Sequence, residues 1–131
     1  MKISSVATIT KIHLIISVVV VFPAAFIYGF NLGEFLNLNL NTIDEYNFNK
    51  AIMGLYIAFS MLWVSGILRR NHLKAALISN MLFMLGLGFG RIISITLDGV
   101  PSVAYVVATV GELCLGLYGL WVLNSKYLKK S

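Results

Sequence analysis

Apolar residues gather into four long runs, and polar residues fill the gaps between them. The first run is Ile12–Phe30, the second Ala51–Leu68, the third Ala75–Leu97 and the fourth Val103–Leu123. One charge interrupts the third run, Arg91, and one the fourth, Glu112. Each run is close to the ~20 residues that a helix needs to cross a hydrocarbon core. Strands fit poorly, because the runs lack in–out alternation and a barrel span needs only ~9–11 residues. The pattern predicts an all-α polytopic membrane protein, an antiparallel bundle of four transmembrane helices forming one domain over residues 1–131. The first run has features of a signal peptide, with Lys2 and Lys11 ahead of it and Ala24-Ala25 after Pro23. It is longer than a typical signal core, so it is expected to stay as an anchor.

The gaps carry their own signals. Pro23 should kink the first helix. The first link, residues 31–49, holds six asparagines, and its "LNLNLN" alternates with period two. A short strand or a surface-lying cap over the bundle fits that alternation, and so does a solvated loop. Thr42 or Asn41 is placed to cap the second helix, ahead of Asp44 and Glu45. The third link, "LDGVPS", is a strong turn signal at Gly99 and Pro101. It makes the third and fourth helices an antiparallel hairpin.

Composition agrees with the runs. The chain of 131 residues is 59% hydrophobic and only 11% charged, where a soluble domain carries about 25% charged residues. Charge then orients the bundle. Lys2, Lys11, Arg69, Arg70, Lys74, Lys126, Lys129 and Lys130 flank the helices at one end, with no acid among them. Glu34, Asp44, Glu45 and Asp98 belong to the other end. Basic flanks mark the cytoplasmic side, so both termini are expected inside, in a bacterial inner membrane. The net charge of +5 therefore reflects topology and lipid headgroups. Nucleic acid is not expected, because no basic groove with interleaved aromatics exists. Cys114 has no partner for a disulfide and suits a small core position. His13 and His72 lack metal-ligand spacing and are expected at the interface. No metal and no cofactor is expected.

Arg91 is the residue that asks for an explanation. A charge inside a span faces a partner or a cavity. Asp98 at i+7 and Glu112 on the next helix are the candidates. With the turn centred between Gly99 and Val100, Arg91 lies level with Ala108, and Glu112 with Leu87. That offset is four residues, roughly 6 Å at 1.5 Å per residue. Helical side chains lean toward their own N-terminus, so Arg91 and Glu112 lean toward each other. An Arg91–Glu112 pair is the favoured reading, with Asp98 as a gate at the outer end. Tyr56, Tyr105, Ser94 and Thr109 complete a candidate polar cluster, with Ser60 as a further hydroxyl. Gly54, Gly86, Gly88, Gly90, Gly116 and Gly119 read as close-packing positions, and Gly86 with Gly90 as a small-xxx-small pair. "GLGFG" is not a nucleotide fingerprint, because its spacing is wrong and no strand precedes it.

Three stretches, "NKAIMGLYIAFSMLW", "GLGFGRIISITLDGVPS" and "GELCLGLYGLWVL", resemble the domain of unknown function 4345 family. More distantly the chain is similar to the DoxX-like four-helix membrane proteins. The resemblance covers the chain from about Asn49 onward, and the first helix by hydropathy alone. It implies a four-helix membrane bundle with matching positions at Gly54, Tyr56, Arg91, Asp98, Gly99, Pro101 and Glu112. Lys50 departs from the pattern, since the basic residue before "AIMG" is expected one position earlier. The resemblance implies a bacterial inner-membrane setting and brings no activity with it.

Four functions compete. The bundle could bind a lipid, a quinone or another amphiphile with its polar end near Arg91, because a guanidinium grips a headgroup with two bonds. It could be a small proton-coupled transporter using Glu112, which would need a homodimer or a larger membrane complex. It could be an accessory subunit in which the buried pair only fixes helix register. An enzyme is the weakest reading, because no nucleophile–base pair, metal cluster or phosphate loop is present.

Overall fold

The helices of this chain are apolar around their whole circumference, which suits a membrane rather than water. In the computed structural model, the backbone is described for residues 2–32, 34–36 and 38–125, and the side chains for 8–32, 34, 36 and 38–125. Lys126, Lys129 and Lys130 lie outside the described residues, as does the side chain of Lys2. Four α-helices follow one another: α1 (Lys2–Gly29), α2 (Ile43–Leu68), α3 (Arg70–Asp98) and α4 (Val103–Asn124), with a short 3-10 turn at Glu34–Leu36. All four are long and apolar enough to cross a membrane. No strand occurs among the described residues, so the strand reading of "LNLNLN" is not borne out: Leu36 ends the 3-10 turn and residues 38–41 lie outside any helix or strand.

Helix ends differ from the ends of the apolar runs, and the reason is local. Hydropathy marks what lies in lipid; hydrogen bonding marks where a helix stops. α2 begins at Ile43, eight residues before its apolar run, because Thr42 and Glu45 form a reciprocal capping box. The Thr42 hydroxyl accepts from the Glu45 amide at 3.2 Å, and Glu45 Oε2 accepts from the Thr42 amide at 2.9 Å. It also accepts from the Asn41 amide at 2.6 Å. α3 begins at Arg70, because the polar residues from Arg70 to Lys74 form its first turn. Only Arg69 separates α2 from α3, in an extended conformation, with its amide donating to the Ser65 carbonyl at 2.8 Å. His72 Nδ1 and the Ser65 hydroxyl bridge the same corner.

At the other end, α1 continues on both sides of Pro23. Pro23 supplies no amide, which leaves the Val19 carbonyl without a donor in the ladder. Asn31 then turns the chain in the left-handed region, at φ 51°, a conformation that asparagine tolerates. The α3–α4 turn occupies residues 99–102, and Gly99 takes φ 106°, which a side chain would resist.

α1 packs chiefly on α2, α2 on α3 and α3 on α4, while α1 and α4 meet more sparsely. The start of α1, Arg69 and the end of α4 share one end of the bundle; the end of α1 and the α3–α4 turn share the other. Only a minority of each helix is buried within the bundle. The core is built from Leu14, Val21, Ala25, Tyr56, Trp63, Ala76, Leu77, Met84 and Val122. A ladder of rings crosses it, from Tyr28 to Tyr56 (5.8 Å between centroids), to Phe83 (5.3 Å) and to Trp63 (5.2 Å). The Trp63 indole donates to the Ser79 hydroxyl at 3.2 Å and so ties α2 to α3.

Three placements correct the sequence reading. Gly54, Gly86 and Gly90 are exposed, and a Cβ at each would meet nothing within 4 Å. The small-xxx-small pair therefore does no close packing in this bundle. Cys114 is exposed rather than in the core. His13 is fully buried rather than interfacial. The common cause is that every face of these helices is apolar, so spacing alone does not reveal which face turns inward. Close packing is instead carried by Gly66 against Ala76, Gly88 against Leu113, and Gly116 against Leu85, with Gly119 beside Met81 and His13.

Gly66 and Gly86 should therefore respond oppositely to one methyl group. Gly66→Ala forces its Cβ onto that of Ala76 and should lower stability by about 1–3 kcal/mol. Gly86→Ala meets open space and should be neutral or stabilising by up to about 1 kcal/mol. Thermal unfolding in detergent, followed by circular dichroism, reads both.

Candidate functional site

Arg91 sits two turns before the end of α3, and the tight turn at 99–102 brings α4 back beside it. Gly88 packs on Leu113 and Leu85 on Gly116. These contacts centre the hairpin between Val100 and Pro101, one residue later than the sequence reading placed it. Arg91 and Glu112 are then offset by two residues rather than four, roughly 3 Å along the axis. Their opposed lean closes the rest.

The result is a two-point ion pair. Arg91 Nε donates to Glu112 Oε2 at 2.8 Å, and Nη2 donates to Oε1 at 3.1 Å. The side chains are 21% and 13% exposed, so water does little to screen them. A fork-to-carboxylate bond of this kind fixes geometry as well as charge. Nη2 also donates to the Tyr28 hydroxyl at 3.4 Å, a long contact that brings α1 to the pair. The Tyr105 ring faces the guanidinium, with the Arg91 central carbon 5.5 Å from its centroid. A cation over an aromatic face is attracted to it.

Tyr105 is itself held from outside. Its hydroxyl donates to the Leu36 carbonyl at 3.1 Å, which ties the link before α2 to the site. The buried Thr109 hydroxyl donates to the Tyr105 carbonyl at 2.8 Å. Ser94 donates to Asp98 at 2.9 Å. Asp98 is thus an exposed partner of Ser94, and it makes no ion pair with Arg91 among the described residues. The expected gate is absent there, because Arg91 leans away from the helix end. Tyr56 reaches the site through the Tyr28 ring, 5.8 Å away. Ser60 makes no bond to the pair; its hydroxyl is buried without a partner among the described residues.

Arg91, Ser94, Pro101, Tyr105 and Thr109 line a cleft of about 260 Å³ beside the pair. Glu112 and Tyr28 occupy Nε and Nη2 of the guanidinium. Nη1 makes no bond among the described residues. The cleft therefore combines a spare cationic donor, a flat aromatic wall and two hydroxyl-bearing side chains.

Tyr28 was missed in the sequence. Its signal was faint but real: "FIYGF" sets a hydroxyl at the end of the first run, at the depth where Arg91 stands. The described residues contain no group of three or more His, Cys, Asp or Glu able to hold a metal ion.

A double-mutant cycle should expose the pair's coupling. Arg91→Ala and Glu112→Ala each strand a charge, and each should destabilise by about 3–5 kcal/mol. The double variant should lose less than the two losses added, with a coupling of about 1–3 kcal/mol. Unfolding in detergent across the four proteins provides the measurement, and strict additivity would contradict the geometry.

Comparison with known proteins bears on the same residues. No curated protein and no solved structure matches the chain. One family model matches residues 9–123, a span that contains Tyr28, Arg91, Tyr105, Thr109 and Glu112. That model is the domain of unknown function 4345, and the chain, with its four helices long and apolar enough to cross a membrane, belongs to this family.

Proposed function

We propose that this small membrane protein binds a lipid-like or other amphiphilic molecule, whose polar end enters the cleft beside Arg91. The observation behind this reading is the unused Nη1 of Arg91 in a cleft walled by Tyr105. Ligand pockets usually measure about 300–1,000 Å³. A space of about 260 Å³ suits a headgroup rather than a whole ligand. An apolar tail would lie along the exposed faces of α3 and α4, in the bilayer.

Charge narrows the headgroup. Glu112 already balances Arg91, and Asp98 stands near through Ser94. A further anion would be repelled by both carboxylates. A neutral acceptor, such as an ester or ketone carbonyl, takes the Nη1 donors without that cost. An accessory role in a larger membrane assembly is compatible with this binding. Proton-coupled transport, the alternative, requires Glu112 to exchange protons, and both of its oxygens are held by Arg91. Its separation from Arg91 would be a costly step.

The basic residues support a bacterial inner-membrane placement with both termini in the cytoplasm. On that reading, residues 30–42 and the α3–α4 turn face outward. A membrane-impermeant thiol reagent applied to intact cells should label Asn39→Cys and spare Arg69→Cys, both in a Cys114→Ser background. The opposite labelling would invert the topology.

Native mass spectrometry tests the binding itself. Wild type released from mild detergent should carry a stoichiometric amphiphile. Arg91→Ala removes the donor, and Ser94→Trp fills the cleft from an exposed position while leaving the ion pair alone. Each should lower occupancy at least tenfold. A bare wild-type chain, or equal occupancy in all three proteins, would refute the proposal.

A further inference from the structure

The hydrogen bonds around the Arg91 cleft run in one direction. Three of its lining residues carry hydroxyls, and each hydroxyl gives its proton to another part of the protein. Ser94 donates to Asp98 Oδ2 at 2.9 Å, Thr109 to the Tyr105 carbonyl at 2.8 Å, and Tyr105 to the Leu36 carbonyl at 3.1 Å. A carbonyl or an ionised carboxylate has no proton to give, so the partner dictates the direction of each bond. The hydroxyl oxygens keep lone pairs with which to accept.

Those protons are firmly held. Thr109 is 5% exposed, and its bond reaches one turn back along α4. Turning the proton outward would give up that bond where little water can replace it. The partner of Ser94 is a carboxylate, and hydrogen bonds to ions are roughly twice as strong as neutral ones. The Tyr105 hydroxyl is engaged with the link before α2, while its ring faces the guanidinium. Donors come from Arg91 alone. Its Nε and Nη2 serve Glu112 and Tyr28, and Nη1 makes no bond among the described residues. The cleft thus presents one donor group, Nη1, and two acceptors, the oxygens of Ser94 and Thr109. A ketone or a simple ester fills only the first part of this pattern, because it accepts and cannot donate.

We propose that the guest is a neutral hydroxy ester lipid, of the kind that a glycerol monoester represents. Its ester carbonyl accepts from Arg91 Nη1, and its free hydroxyls donate to Ser94 and Thr109. This inference rests on the amphiphile reading of the same cleft and adds the headgroup class. One carbonyl and two hydroxyls on neighbouring carbons match one donor group and two acceptors, within a space of about 260 Å³. The glycerol carbons lie against the Tyr105 ring. A phosphate-bearing headgroup does not fit, because Glu112 already balances Arg91 and Asp98 stands beside Ser94.

The test uses the whole chain, stripped of lipid in an amine-oxide detergent that has no hydroxyl. Native mass spectrometry follows three neutral probes: 1-monooleoylglycerol, methyl oleate and oleyl alcohol. Wild type should hold monooleoylglycerol at least tenfold more tightly than methyl oleate, which lacks the hydroxyls, and than oleyl alcohol, which lacks the carbonyl. Thr109→Val and Ser94→Ala each remove one acceptor, and each should narrow the preference over methyl oleate severalfold. Ser94 is exposed, so Ser94→Ala decides should Thr109→Val not fold. If either of the other probes binds as tightly as monooleoylglycerol, or if the preference is unchanged in the variants, the inference is overturned and the amphiphile reading stands. Retention of none of the three overturns the inference, and the amphiphile reading falls too if wild type released from mild detergent is also bare.

Discussion

The pairing of Arg91 with Glu112 is the constraint around which this bundle is arranged. A lone guanidinium in a hydrocarbon layer is costly, so α4 must present its carboxylate at one depth and one rotation. The four-residue turn at 99–102 fixes the depth, with Gly99 in a conformation that side chains resist. Gly88 and Gly116 fix the rotation, by letting Leu113 and Leu85 seat against bare backbone. Once made, the pair recruits further elements. Tyr28 brings α1 to it and Tyr105 brings the link before α2, so four segments converge on one guanidinium.

Much of this was legible in the sequence, and the limits of legibility have a physical cause. Run length gave the four helices, because bilayer thickness dictates it. The Arg91–Glu112 pair followed from side-chain lean and a short turn, both of which are local. Rotation about each helix axis was not legible where the residues are apolar or small. In water, an apolar stripe marks the inward face; in lipid, both faces are apolar. Gly86 and Gly88 look alike in sequence, yet one is exposed and the other takes Leu113. Cys114 failed for the same reason. So did His13: its position near Lys11 suggested an interface, while the face of α1 that carries it turns into the bundle. Tyr28 was overlooked because its role depends on a helix distant in sequence.

Arg91, Glu112, Tyr28 and Tyr105 form one polar level inside the bundle, near the α3–α4 turn. Elsewhere the interior is mostly rings and aliphatic side chains, with His13, Ser17, Ser60 and Asn80 buried among them. Polar residues are thus the main markers of helix rotation here, and the Arg91 level engages three helices. A bundle whose α1 and α4 touch only sparsely gains definition from groups that demand specific partners.

The single-residue corner at Arg69 has a consequence for how this chain is assembled. Closing a loop of one residue costs almost no chain entropy compared with a long one. α2 is therefore always in the presence of α3, at an effective concentration that no long tether could supply. The two behave as a single folded-back rod from the moment both are made. The longer link before α2 ties α1 to it less closely, so the corner at Arg69 makes α2 and α3 the tighter of the two pairs along the chain.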